Sequence, residues 1–243
     1  MSAKETFGII KELAEIESPF GKEEKVREYA LSFLKKNKIP FETDLFGNVF
    51  AGSGRIMLCA HMDKLAEPGK WVETKETVKA RLDDAMGMGI SLDLAREGKF
   101  SLLFTVMEEP ANSVGAQKAL ARVKQLSPPL IIVLETTRFG EKGNGPILYL
   151  SSAGVKFGEK ITSRIREIAK KSAIPLPEIE NGWHNDSKIF AGAGLPAVAL
   201  EIHTDNNHSA EETSSKKDIL QLKKLLQIIS EEWLPQSPSN GQD

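Results

Sequence analysis

A single cysteine, Cys59, stands in the 243 residues, so no intramolecular disulfide can form. It sits in the apolar run Ile56 to Ala60 and reads as a small buried residue. No apolar stretch approaches the ~20 residues that a membrane-spanning helix needs, and no membrane is expected among the partners. The first residues (Met1, Ser2, Ala3, Lys4, Glu5) lack the apolar segment of a secretory leader, so the expected location is cytoplasmic. Excess charge is missing too: 32 basic residues face 34 acidic ones, and a net charge of -2 leaves no basic patch to suggest nucleic acid. Neither an internal repeat nor a long linker interrupts the chain. What is present is an apolar fraction of 40%, enough for a real core, in a length that suits one large α/β domain or two small ones.

Hydrophobic spacing predicts a helix through Phe7, Ile10, Leu13, Ala14 and Ile16, ended by Ser18, Pro19, Phe20 and Gly21. A second amphipathic helix is expected from Glu23 to Lys36. Short strands are expected at Phe41 to Thr43 and Val49 to Ala51, around the Gly47-Asn48 turn. Ile56 to Ala60, Leu102 to Met107, Leu130 to Leu134 and Pro196 to Ile202 read as strands, the first a continuous apolar run typical of burial on both faces and the next two buried as well. Pro146 to Leu150 is strand-like. Helices are expected at Asp84 to Arg96, Ser113 to Val123, Gly158 to Lys171 and Lys216 to Trp233. The segment from Leu65 to Ala80 is polar and reads as a small excursion, and the polar tail from Pro235 as disordered. Buried strands alternating with helices imply an α/β fold, a mostly parallel sheet sandwiched between helices. Ligands bind such sheets beyond the C-terminal ends of the strands.

Acids and histidines collect at those ends. Ile56 to Ala60 runs into His61, Met62 and Asp63. Residues two apart share a strand face, and a metal-bound histidine usually gives its other ring N–H to a carboxylate, so His61 suits a ligand and Asp63 its orienting partner. Alone, the pair is equally a hydrogen-bonded histidine at a strand end. Asp83 and Asp84 precede a helix, where aspartate is a good cap, although one carboxylate can also bridge two cations. Leu102 to Met107 leads directly into Glu108 and Glu109. Their chemical reading is a division of labour: one acid binds metal while its neighbour takes a proton from the water activated there. Glu135 ends another buried strand. The last strand ends at Glu201, Ile202 and His203, followed by Asn207, His208 and Ser209. Imidazole and carboxylate without thiolate suit zinc, cobalt or manganese at a hydrolytic site.

Taken in order, His61-Met62-Asp63, Asp83-Asp84, Glu108-Glu109, Glu135 and His208-Ser209 resemble the pattern of the glutamyl-aminopeptidase and tetrahedral-aminopeptidase family of di-zinc peptidases. Phe104-Thr105-Val106, Gly115-Ala116 and Gly194-Leu195-Pro196 match its flanking text, and Asp186 and Glu211 look similar to family positions. The resemblance spans nearly the whole chain. It implies a zinc-aminopeptidase-like (phosphorylase/hydrolase-like) catalytic domain over residues 1–234, acting on peptides. It also implies two divalent metal ions per chain, zinc with cobalt or manganese as alternatives. One would be held by His61, Asp83 and Glu135, the other by Asp83, Glu109 and His208. Asp83 would bridge them, Glu108 would serve as general base and Asp63 as the partner of His61. His203, which continues the strand directly, is the rival of His208 as ligand. His184, beside Asn185 and Asp186, is a candidate for substrate contact or a surface loop histidine.

Three features depart from the family pattern. The family carries an inserted domain between its His-x-Asp and Asp-Asp motifs, whereas only Lys64 to Leu82 lie between them here. A small homo-oligomer with an open site is therefore expected in place of a large cage. Glu135 stands where the family usually has aspartate, and Lys64 where an acid is common. Related metallohydrolases, such as N-acyl amino acid deacylases and carboxypeptidases, share the ligand order and form the alternative enzyme reading. A degenerate relative acting as a binding protein is the alternative outside enzymes. A glycosidase built on Glu108 and Glu109 would leave both histidine clusters without a role.

Overall fold

Every second residue of the central strands feeds a different core. In the computed structural model, which describes residues 3–65, 67–109 and 112–233, the chain opens with helices α1 (Ala3–Ala14) and α2 (Glu24–Lys36). There follow β1 (Phe41–Thr43), β2 (Val49–Gly52), β3 (Ile56–His61), β4 (Val72–Glu73), β5 (Thr77–Ala80), α3 (Ala85–Ala95), β6 (Phe100–Thr105), α4 (Val114–Leu126) and β7 (Ile131–Thr137). The second half holds β8 (Ile147–Tyr149), β9 (Ser151–Ser152), β10 (Val155–Lys156), α5 (Glu159–Lys171), β11 (Glu178–Ile179), α6 (Ser187–Gly192), β12 (Ala197–Asp205), β13 (Glu212–Ser215) and α7 (Lys216–Glu232).

One mixed sheet organises these elements in the order β1-β2-β6-β3-β7-β12-β13-β5-β4, with β8 also on β12 and β11 on β8. Its centre, β6, β3, β7 and β12, is parallel, as buried apolar strands separated by helices require. Ile56, Leu58 and Ala60 of β3, with Ile132 and Leu134 of β7, join the larger core under α1, α3 and α7. Met57 and Cys59, with Ile131 and Val133, join a second core that includes Ala116, Ala119 and Val123 of α4 and Phe190 of α6. The alternation is the strand pleat at work.

Helix α3 is buried along its whole length. Its glycines, which argue against a helix on propensity alone, are explained by packing. A Cβ on Gly89 would lie 2.5 Å from Ile10 Cγ1, so glycine is what lets α1 cross α3 closely.

The segment expected to leave the fold does not. Residues 72–80 form β4 and β5, and β5 pairs with β13 from Thr77 opposite Ser215 to Ala80 opposite Glu212. The segment extends the main sheet at one edge. Periodicity missed this because β13 is only four residues long and polar in sequence, and it becomes a strand by bridging β12 and β5. The sequence also gave no sign of α6 or β11, which are equally short. The tail from Pro235 lies outside the described residues.

Candidate metal centre

At the C-terminal end of the parallel strands, the face that carries the second core turns polar. His61 follows Met57 and Cys59 on that face, Thr105 follows Leu103, and Glu135 follows Ile131 and Val133. The strands thus deliver these side chains to one place, as expected for a sheet of this type. His61 Nε2 lies 3.0 Å from Asp83 Oδ1 and 3.2 Å from Glu135 Oε2. Asp83 Oδ2 lies 3.5 Å from His208 Nε2, which is 3.6 Å from Glu109 Oε1. Asp83 therefore turns one oxygen to each histidine. The ligand atoms of His61, Asp83 and Glu135 fall within 4.8 Å of one another, as do those of Asp83, Glu109 and His208, and those of His61, Glu108 and Glu109.

Buried carboxylates hold the backbone around this cluster. Asp63 Oδ1 accepts the Glu108 amide at 2.9 Å and Oδ2 the Glu109 amide at 2.8 Å. The expected link from Asp63 to His61 takes a different form: β3 ends at His61, and Nδ1 meets the Asp63 backbone oxygen at 3.0 Å, with Oδ1 at 3.5 Å. Glu212 accepts from the amides of Leu82 (2.6 Å), Asp83 (2.9 Å) and His208 (2.6 Å), and from Arg81 Nη1. One side chain thus anchors both the shared acid and the second histidine. Asp84 caps α3 through Gly87 N at 2.8 Å and accepts from the His61 amide at 3.2 Å.

The electrostatics show a site short of positive charge. Burial and the neighbouring Asp83 push Glu109 up to about 8. Burial, then Asp83, raises Glu135, and burial, with Asp186 and Glu109 adding, raises Glu108. His61 is held well above the usual imidazole value although burial opposes it, because Glu135, Asp63 and Asp83 surround it. Asp83 is driven low against its own burial by His61 and Arg81. Acids that raise one another in a buried pocket are what a divalent ion would relieve, and the donors are of the imidazole and carboxylate type that zinc, cobalt and manganese accept. The residues fit such ions.

Other expected residues fall elsewhere. His203 bonds Phe139 O and Asp205, at 3.1 and 3.0 Å, and lies outside every cluster. Glu211 pairs on the surface with Lys79, so the acid facing inward after His208 is Glu212. The pleat of β13 turns Glu212 and Ser214 inward, but its wholly polar sequence carried no signal of this. Lys64 does not face the acids: its Nζ donates to Leu13 O (2.6 Å) and Ile16 O (2.7 Å) at the end of α1, and burial lowers it to about 7. Asp186 sits beneath the cluster, accepting from Thr105 Oγ1 at 2.6 Å. His184 meets Ser113 Oγ at 2.9 Å, and Ser113 Oγ lies 3.4 Å from Glu108 Oε1. Arg81, fully buried, had no signal in the sequence.

A cavity of about 420 Å³ opens over the cluster, walled also by Arg138, Tyr149, Trp183, His184, Glu201 and Asn207. Among solved structures, an aminopeptidase from the archaeon Desulfurococcus kamchatkensis shares the fold with a TM-score of 0.82 at 18% identity, over 95% of each chain. The Pyrococcus horikoshii TET1 peptidase gives 0.77 at 17%, over 93% of this chain and 99% of that one. Aminopeptidase PepT from Bacillus cereus gives 0.80 at 14%, over 96% and 99%. At such identities the likeness speaks for the fold. The sequence itself carries the lineage: the profile of the M42 glutamyl aminopeptidases matches residues 67–225, well over half of the chain, and the chain belongs to that family.

Proposed function

We propose that this protein is a metal-dependent aminopeptidase that removes N-terminal residues from peptides. The observation that carries the reading is the sharing of Asp83 by two ligand triads, with Glu108 beside them. His61, Asp83 and Glu135 would hold one divalent ion, and Asp83, Glu109 and His208 the other, zinc first and cobalt or manganese as alternatives. Such ions supply an acidified water and polarise a peptide carbonyl. Glu108 then accepts the proton of the attacking water and passes it to the departing amine. Asp63 fixes the spacing of Glu108 and Glu109 through their amides, and Glu212 that of Asp83 and His208.

Residues 1–234 form one catalytic unit in this reading, with 65–80 in place of the family's inserted domain. The Pyrococcus horikoshii TET1 peptidase can assemble into a tetrahedron or a large octahedral shell. A smaller homo-oligomer is proposed here. The test combines metal analysis with a panel of aminoacyl arylamides and N-acyl amino acids. Close to two equivalents of metal and turnover of the free-amine substrates are expected. Turnover of the acylated compounds alone would favour a deacylase, and no bound metal under saturating zinc, cobalt or manganese would end the enzymatic reading.

A further inference from the structure

Serine is a good helix cap, yet Ser113, at the N-cap of α4, caps nothing with its side chain. It is fully buried, and its backbone sits in the left-handed region at φ 46° and ψ 42°, which is costly for a residue other than glycine. The hydroxyl is turned toward the metal centre instead. Ser113 Oγ lies 3.4 Å from Glu108 Oε1 and 2.9 Å from His184 Nε2. Both flanks of this row are anchored. The Ser113 amide donates to Glu108 O at 3.0 Å. His184 stands half-buried on the cavity wall, next to Asn185, whose backbone amide donates to Ser152 Oγ at 3.2 Å and whose Nδ2 donates to Glu201 Oε1 at 2.7 Å.

The polarity of the row follows from its donors. A carboxylate only accepts, and a serine hydroxyl has one proton to give. When Glu108 is ionised, as a base is before it acts, that proton goes to Glu108, and the N–H at the far end has to come from His184. Burial, with Lys188 adding, holds His184 below its ordinary 6.5, so near neutral pH the ring carries a single N–H. Hydrogen bonds in series polarise one another. Asp63 fixes the backbone amide of Glu108 and not its carboxyl, and among the described residues Ser113 Oγ is the one donor that reaches that carboxyl. Catalytic hydrogen bonds are often long before substrate arrives and tighten afterwards. We propose that Ser113 and His184 are positioning residues: His184 aims the Ser113 hydroxyl, and the hydroxyl holds one oxygen of Glu108 while the other takes the proton of the attacking water. The inference rests on the aminopeptidase reading and deepens it.

The test uses the metal-loaded protein and a leucyl arylamide. Ser113→Ala removes the hydroxyl, His184→Phe removes the ring N–H and keeps the shape, and His184→Gln puts an amide N–H near the place of Nε2. Ser113→Ala and His184→Phe are each expected to lower kcat by about 10-fold, the loss of one hydrogen bond to a charged group, with KM and metal content unchanged. His184→Gln should recover most of that loss. Because the two residues act in series, the double variant should be no slower than Ser113→Ala alone. A raised KM with kcat intact in His184→Phe would make His184 a substrate contact, and losses that multiply in the double variant would make the residues independent. Either result, or no recovery in His184→Gln, overturns the proposal. A second measurement needs no turnover. Glu108→Gln should move the ring-nitrogen resonances of His184 in NMR spectra of the zinc-loaded protein, and the same substitution made on Ser113→Ala should leave them in place. No movement, or movement that persists without the hydroxyl, refutes the row. A wild type that cleaves no aminoacyl arylamide fails the aminopeptidase reading, and the NMR comparison still decides whether the three side chains form one row.

Discussion

Both carboxylate oxygens of Asp63 are spent on backbone amides, those of Glu108 and Glu109. The position of the acid pair therefore does not depend on what the two side chains carry. Glu108→Gln should keep its amide on Asp63 and leave the ligand triads intact, while removing the group that accepts the proton. Turnover is expected to fall by roughly 10²-fold or more, with metal content unchanged in the same preparation. Loss of metal instead would mean that Glu108 is a ligand and that the roles of the two acids are exchanged. Much of the cluster was legible at this scale, because acids ending apolar runs are conspicuous. What could not be read was which backbone donors each acid would meet. Asp63 and Glu212 act on amides, and amides leave no trace in a residue pattern. Glu211 and Glu212 are chemically alike in sequence, and only the register of β13 against β5 turns one inward.

Helices α1, α3 and α7, which cover one face of the sheet, are tied together by a buried polar knot. Asp93 of α3 accepts from Lys223 of α7, from Arg96 and, at 2.6 Å, from Thr6 of α1. Lys223 Nζ also donates to Thr6 at 3.0 Å. Removing the acid leaves a buried lysine without its counter-charge, so Asp93→Ala is expected to cost about 3 kcal/mol or more in chemical denaturation. A cost below about 1 kcal/mol would show that solvent reaches Lys223. The parallel strands and long helices were legible from apolar runs and helical spacing, since their burial is decided locally. Strands β4, β5 and β13 were not, because each is short and polar and gains its hydrogen bonds from partners distant in sequence.

For the molecule as a whole, the acid cluster sets the response to pH. Glu109 rises to about 8 and Glu212 to about 7, through burial and then Asp83. Glu108, Glu135 and Glu201 are raised as well, burial first. An acid with a folded pKa above its ordinary 4.5 contributes stability that is complete below that value and is lost as pH rises through the folded pKa. His61, raised above 6.5 by its acidic neighbours against its burial, loses its contribution in the same direction. Asp83 is low, so its contribution is already complete above its ordinary 3.8. His184 and His208, lowered by burial, oppose the trend below their ordinary 6.5, and Lys64, lowered by burial to about 7, opposes it above that value, one lysine against the several raised acids. Metal-free protein is therefore expected to lose roughly 5 °C of melting temperature between about pH 6.5 and 8, and a divalent ion should restore it. A flat profile without metal would show that water already screens the acids. Assembly is a second property at this scale. Trp71 is packed against the core, which leaves the exposed Val72 and Leu65 as the large apolar groups of the 65–80 segment. Two side chains cannot supply the ~1,200 Å² of a stable interface, so light scattering should report a few chains at most, and a cage-sized mass would refute this.

The grip of Asp63 and Glu212 on backbone amides bears on how such a centre is supplied. Its outline is drawn by hydrogen bonds internal to the chain, four of them to the segments that carry the acid pair, Asp83 and His208. A mould of that kind does not have to be recast when its contents leave. Loading the proposed site would then be a question of traffic: how fast ions enter the cavity, and which of them the surroundings hold in greatest supply. The chain would behave less like a vault for one element than like a berth, kept in shape between arrivals and taken by whichever suitable ion is most abundant.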